Sequence, residues 1–166
     1  MTVSIMAAMS LNHVIGYQNR LPWGSLPADW AYLYEVTAGK KMIMGRKSYD
    51  AADRVWSKAG NIVLTRQADY PLENGFESAN TLEIAIEILR GQGLDEIFII
   101  GGAEIFRQAI PNLVDKIYLT LVHQNFEGDA FFPRIDPSVF SLTNRKDFKA
   151  DDENKYDYSF LIYEKR

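Results

Sequence analysis

Apolar residues along this chain gather in short runs whose period changes from segment to segment. Residues 3–10 and 61–65 are apolar runs of strand length, and residues 96–100 form a continuous one, as a central strand covered on both faces requires. Lys41 to Met44 reads as a shorter strand, and residues 116–122 as another, with Thr120 the one small polar group inside it. Between these runs, apolar positions recur at helical spacing. Residues 28–38 suit a helix with Ala31, Leu33 and Tyr34 toward its inner face and Gly39 where a C-cap falls. Thr81 is placed to cap a helix carrying Leu82, Ala85, Ile86 and Leu89, which Gly91 and Gly93 stop. A further helix follows Gly101 and Gly102 and ends at Ile110-Pro111. Residues 67–80, with Pro71 and Asn74-Gly75, read as turns. Residues 140–148 and 156–164 instead alternate apolar and polar positions, as antiparallel strands do, and the acidic turn Asp151-Asp152-Glu153-Asn154 between them reads as a solvated hairpin tip.

This order predicts an α/β fold: one domain over residues 1–166, with a mostly parallel central sheet, an antiparallel C-terminal edge strand and about four flanking helices. One stretch fits neither period. Residues 14–30 are broken by Gly16, Pro22, Gly24 and Pro27, yet they carry Val14, Ile15, Leu21, Trp23, Leu26 and Trp30. A long loop that must bury aromatics is a lid or a binding wall. At its end Pro27 can open a helix, which places Asp29 in the first turn, where unpaired amides favour an anion.

Charge and composition narrow the chemistry. A net charge of −4 disfavours a general nucleic-acid binder. Zero cysteines remove disulfides, thiolate metal sites and cysteine nucleophiles, and two histidines rule out a histidine-rich metal site, so no metal is expected. No apolar run reaches membrane-spanning length and Thr2 and Ser4 interrupt any secretory signal, which favours the cytoplasm. Two strand ends carry matching groups: Gly45-Arg46-Lys47-Ser48-Tyr49 and Thr65-Arg66. Each reads either as a solvated basic turn or as an anion site at the end of a parallel strand, and the pair strengthens the second reading. Gly101-Gly102 reads either as a tight strand-to-helix turn or as backbone brought close to a ligand. The small Ala7 and Ala8 similarly fit close helix packing or the approach of a ligand.

Taken together, several stretches resemble the dihydrofolate reductase family. They are Val14-Ile15-Gly16 with Asn19, Leu21-Pro22-Trp23, Leu26-Pro27-Ala28-Asp29 and Ile43-Met44-Gly45-Arg46. Asn61-Ile62-Val63-Leu64-Thr65, Ile100-Gly101-Gly102 with Phe106, Tyr118-Leu119-Thr120 and Glu127-Gly128-Asp129 follow in the family's order, so the resemblance covers nearly the whole chain. It implies reduction of 7,8-dihydrofolate to tetrahydrofolate by hydride from NADPH. By this resemblance Asp29 anchors the pterin, Thr120 shares the pterin amino group with it, and Trp23 anchors the loop above the nicotinamide. Met6, Ala8, Trp30, Leu33 and Ile100 resemble the pocket wall, with Arg54, Trp56 and Lys58 on the path of the substrate's tail. Ala8 and Ile15 would meet the nicotinamide carboxamide through their backbones, flanked by Gly16, Asn19 and Leu21. Gly101 and Gly102, then Ala103, Glu104, Ile105 and Phe106, would lie along the pyrophosphate. Gly45, Arg46, Lys47, Ser48, Leu64, Thr65 and Arg66 resemble the shell around the adenosine 2′-phosphate, and Asp129 would brace the lid near Gly16.

The chain also departs from the family. Ala59 stands where an arginine usually holds the α-carboxylate of the folate tail, leaving Lys58 or Arg54 as looser cations. One extra residue lies in the Gly24-Ser25 segment, and Trp30 is bulkier than the usual aliphatic residue. Two alternatives share the fold: a reductase of another pterin or heterocycle, and a nucleotide-binding paralogue without turnover. A monomer is the default expectation.

Overall fold

The computed structural model describes residues Met1–Arg166. Six parallel strands lie side by side in one sheet. They are β1 (Thr2–Ser10), β3 (Lys41–Gly45), β4 (Asn61–Leu64), β5 (Phe76–Ala79), β6 (Glu96–Ile99) and β7 (Lys116–Val122). With β9 (Phe140–Phe148) and β10 (Tyr158–Lys165) the order is β5-β4-β3-β6-β1-β7-β10-β9. The antiparallel C-terminal edge is present as a hairpin, in which β10 inserts between β7 and β9 and pairs antiparallel with both. Burial explains the insertion: β10 carries the buried Tyr158, Ser159 and Leu161, whereas β9 beyond Phe140 is almost wholly exposed. A second, two-stranded sheet pairs β2 (Val14–Gly16) with β8 (Ala130–Phe131). Four helices complete the fold: α1 (Pro27–Thr37), α2 (Arg46–Asp50), α3 (Leu82–Arg90) and α4 (Ala103–Ala109).

The sheet has an apolar core on each side. The larger gathers Ile5, Ile43, Ile97, Ile99 and Ile117 with Leu82, Ala85, Ile86 and Leu89 of α3 and with Phe106 of α4. The other packs Met6, Met42, Met44, Tyr49, Val63 and Phe98 against Tyr32, Leu33 and Val36 of α1. Central strands are therefore covered on both faces, which is why their sequences lack alternation. Thr81 caps α3, its hydroxyl accepting the Ile84 amide at 3.2 Å. Gly39, at φ +73°, follows the end of α1, where a side chain would be strained.

Three local expectations change. The inner face of α1 is Tyr32, Leu33, Val36 and Thr37, whereas Ala31 is exposed and Tyr34 is 45% exposed; Asp29 sets this face by lying buried one turn earlier. The turn-rich stretch 67–80 contains the strand β5, too short for a period to be visible. The acidic tip at residues 151–154 is solvated only in part: Asn154 is 5% exposed, and its Oδ1 accepts the Ala28 amide at 2.9 Å.

Candidate active site

Asp29 is the third residue of α1 and is 7% exposed. Burial pushes its pKa up to about 6, and the Thr120 hydroxyl, which lies close by, pulls in the opposite direction. Thr120 is fully buried on β7, in register with Ala8 of β1 and Phe160 of β10. Trp23 is buried among Leu26, Val122 and Tyr158, close to Ala8 and Ala28 and edge-on to Phe126 at 6.0 Å. The Thr120 hydroxyl and the Trp23 indole N–H are the two buried side-chain polar atoms that complete no hydrogen bond within the protein. Native interiors rarely leave such groups unpaired, and the Thr120 hydroxyl beside the buried Asp29 carboxylate marks a place built to receive polar ligand atoms.

Apolar side chains surround this corner. Met6, Leu33 and Ile100 belong to the smaller core beside Phe98 and Tyr118, and Ala8 packs with the Trp23 group. Trp30 stacks on Tyr34 at 6.3 Å from the outer side of α1. Farther out, Trp56 is 46% exposed and tilts against Phe76 at 6.4 Å, and Lys58 is exposed. Arg54 is already engaged within the protein. Its Nε donates to the Tyr49 carbonyl, its Nη1 pairs with Glu73 at 3.0 Å, and its guanidinium lies 4.0 Å over the Tyr49 ring. A guanidinium so engaged is committed to the protein and is not a free fork for a substrate carboxylate.

A wide cleft of about 1050 Å³ runs along the carboxyl ends of β3 and β4 and the start of α4. Ile15, Gly16, Asn19 and Leu21 form its lid side. Gly45, Arg46, Lys47 and Ser48 line it at the start of α2, and Leu64, Thr65 and Arg66 at the end of β4. Gly102, Ala103, Glu104 and Ile105 line it from α4. The two glycine sites are close approaches. A Cβ on Gly101, at φ +139°, would stand 3.1 Å from the Ser48 Oγ, and one on Gly45 would meet Ile105 at 3.2 Å. The Gly45 amide donates to the Gly101 carbonyl at 2.8 Å, which fixes the two turns together. Phe106, one position along α4, turns its side chain into the core at 3% exposure, where it packs on Phe132 at 5.1 Å and lies under Gly101, 3.9 Å from where a Cβ there would stand. Gln67, Asn80, Arg107 and Phe131 also line the cleft, although no sequence pattern singled them out. Asn80 follows β5 and Phe131 belongs to β8, while Gln67 follows β4 and Arg107 lies on α4.

The lid is held by backbone. The Asp129 amide donates to the Gly16 carbonyl and the Gln18 amide donates to Asp129 Oδ2, each at 3.0 Å. A Cβ on Gly128 would stand 2.0 Å from Val14 Cγ1, so only glycine lets the two chain segments meet.

A family model described as dihydrofolate reductase matches residues 2–165. The chain belongs to the dihydrofolate reductase family. It is 41% identical over 162 residues to the dihydrofolate reductase of Haemophilus influenzae, covering 98% of each chain. To that of Bacillus subtilis it is 38% identical over 164 residues, covering 99% of this chain and 95% of the other. A solved structure of the dihydrofolate reductase from Enterococcus faecalis, complexed with NADP(H) and RAB-propyl, superposes with a TM-score of 0.87 at 29% identity, covering 99% of this chain and 96% of that one.

Proposed function

We infer that this protein reduces 7,8-dihydrofolate to tetrahydrofolate with NADPH, and that Asp29 anchors the pterin and assists protonation of N5. The observation that carries the reading is a buried carboxylate, with its pKa near 6, beside the unpaired buried hydroxyl of Thr120 in a member of this family. The residues fit the cofactor: Arg46, Lys47, Arg66 and the hydroxyl of Ser48 border a cleft large enough for a dinucleotide, and Gly45 and Gly101 leave the space that side chains would fill. A related enzyme of known structure is complexed with NADP(H).

When bound, NADPH supplies the hydride. The chain's own residues do the rest. Asp29 bonds the pterin's amino group and a ring nitrogen, and Thr120 offers its hydroxyl to the same amino group. Hydride arriving at C6 leaves charge on N5, so N5 must gain a proton while bulk water is kept out. Asp29 does not touch N5; it holds a water that hands on the proton, and a pKa near 6 keeps a useful protonated fraction near neutral pH. Trp23, Leu21 and the Asp129-braced lid close over this corner and limit its hydration. Arg46, Lys47 and Arg66 select a 2′-phosphorylated cofactor by charge-assisted bonds, with Thr65 beside them.

The protein acts as one domain and as a monomer in the cytoplasm in this reading; no helix is long and apolar enough to cross a membrane. Loss of NADPH absorbance on adding dihydrofolate tests it. Turnover that collapses in Asp29→Asn supports both the reaction and the residue, and NADPH binding without turnover removes the reading in favour of another pterin substrate.

A further inference from the structure

The helix that carries Asp29 begins without a cap of its own. Leu26 occupies the N-cap position, where an oxygen-bearing side chain would normally accept an amide of the first turn, and it has none to offer. Pro27 has no amide, so the first donor left over is that of Ala28, immediately before Asp29. It is taken by Asn154, whose Oδ1 accepts the Ala28 amide at 2.9 Å from a turn 126 residues away in sequence. Asn154 therefore does, from the C-terminal hairpin, what a serine or aspartate at position 26 would do locally.

Asn154 is itself held so that only one orientation works. Its Nδ2 donates to Asp151 Oδ1 at 3.1 Å and its backbone amide donates to the same oxygen at 2.7 Å. The Asp151 amide donates back to the Asn154 carbonyl at 2.8 Å, and the Glu153 amide donates to Asp151 Oδ1 at 2.9 Å. With the NH₂ group turned to a carboxylate, the side-chain oxygen must face Ala28, because an inverted amide would set oxygen against oxygen and N–H against N–H. At 5% exposure the pair is also shielded from competing water.

We propose that Asn154 is a positioning residue for the reaction, fixing the first turn of α1 so that the Asp29 carboxylate stands against Thr120. It touches neither substrate nor cofactor. This rests on the reading of Asp29 given above. The turn at residues 151–154 thereby belongs to the substrate side of the site and not to the cofactor cleft, whose lining contains no residue beyond Phe131.

The test compares wild type, Asp29→Asn, Asn154→Ala and the exchanged pair Asn154→Asp with Asp151→Asn. In the exchange a carboxylate at position 154 accepts from Ala28, the amide oxygen at position 151 keeps the two backbone bonds now made to Asp151 Oδ1, the bond from Asn154 Nδ2 is given up, and the net charge is unchanged. For each, the rate of hydride transfer, KM for dihydrofolate, Kd for NADPH and thermal midpoint are read. We expect Asn154→Ala to slow hydride transfer about tenfold with NADPH Kd within about twofold of wild type, and the exchanged pair to restore the rate to within about threefold. If Asn154→Ala does not fold, Asn154→Gln, which keeps the amide but displaces it by one methylene, is expected to show the same split. An unchanged rate in the folded variant, or a loss shared equally by NADPH affinity and unrelieved by the exchange, would overturn the proposal. Wild-type turnover and its collapse in Asp29→Asn are read in the same assay, so failure of the underlying reading is seen separately.

Discussion

Arg46, Lys47 and Arg66 stand exposed along a wide cleft, whereas Asp29 is buried, at 7% exposure, with the unpaired Thr120 hydroxyl beside it. The two regions handle charge in different ways. Exposed cations cost the fold little, since water solvates them until a phosphate arrives. A buried carboxylate costs stability all the time it is ionised. Because the folded protein holds Asp29 near pKa 6 against an ordinary 3.8, its fold favours the protonated form. The penalty is absent below pH about 4, grows between about 4 and 6, and is complete above that, at about 3 kcal/mol. On the function proposed above, ligand affinity in the cleft comes at almost no cost to folding, while chemistry at Asp29 comes against it.

The sharpest way to break this contrast is Asp29→Asn. We expect turnover to fall roughly 10² to 10⁴-fold while NADPH affinity holds. We also expect the variant to be more stable than wild type at neutral pH, with the gain vanishing below pH about 4. Steady-state kinetics and thermal melts across pH check both halves. A variant that loses activity and stability together would erase the distinction between the regions.

Next in size is the cofactor side. Arg46→Ala and Arg66→Ala should each weaken NADPH binding about tenfold or more, in a salt-dependent manner, and leave NADH binding nearly unchanged. Melting temperature should barely move, since both side chains are exposed. Equal losses for NADPH and NADH by titration would place the 2′-phosphate elsewhere.

Gly128→Ala probes the lid that joins the two. With Val14 Cγ1 only 2.0 Å from the added Cβ, the β2–β8 pairing must yield, at a cost of about 1–3 kcal/mol. Stopped-flow and steady-state data should show kcat and KM shifting together by several-fold. The smallest expected effect is a gain: Ala59→Arg should lower KM for dihydrofolate a few-fold with kcat unchanged, because Arg54 is held by Tyr49 and Glu73 and supplies no free fork. An unaltered KM would show that the tail is gripped by other groups.

Much of this architecture was legible in residue patterns, for reasons that also explain the gaps. Residues 61–65 and 96–100 announce buried strands because both faces are covered, and Thr81 announces a helix because capping is local. The strand β5 and the β2–β8 pair were not legible. Each is too short to show a period, and β2 meets β8 across more than a hundred residues. The position of Asp29 follows from Pro27 and the surrounding motifs, but its pKa does not, since burial raises it, the nearby Thr120 hydroxyl lowers it, and only packing decides that burial wins. Family motifs fix the position of Phe106 along α4 without telling whether its side chain turns toward ligand or core. Asn154 lies in a stretch whose sequence suggests only a solvated acidic tip. Its partner is an amide on another element, and no local pattern encodes such a pairing.

The most direct test follows the rate of hydride transfer from NADPH to dihydrofolate between about pH 5 and 9 in wild type and Asp29→Asn. The account predicts a wild-type rate that falls about tenfold per pH unit once the group near pKa 6 is ionised, and a slow, pH-independent rate in the variant. A wild-type rate that ignores pH across this range, or a variant that keeps the wild-type profile, would contradict the assignment of proton delivery to Asp29.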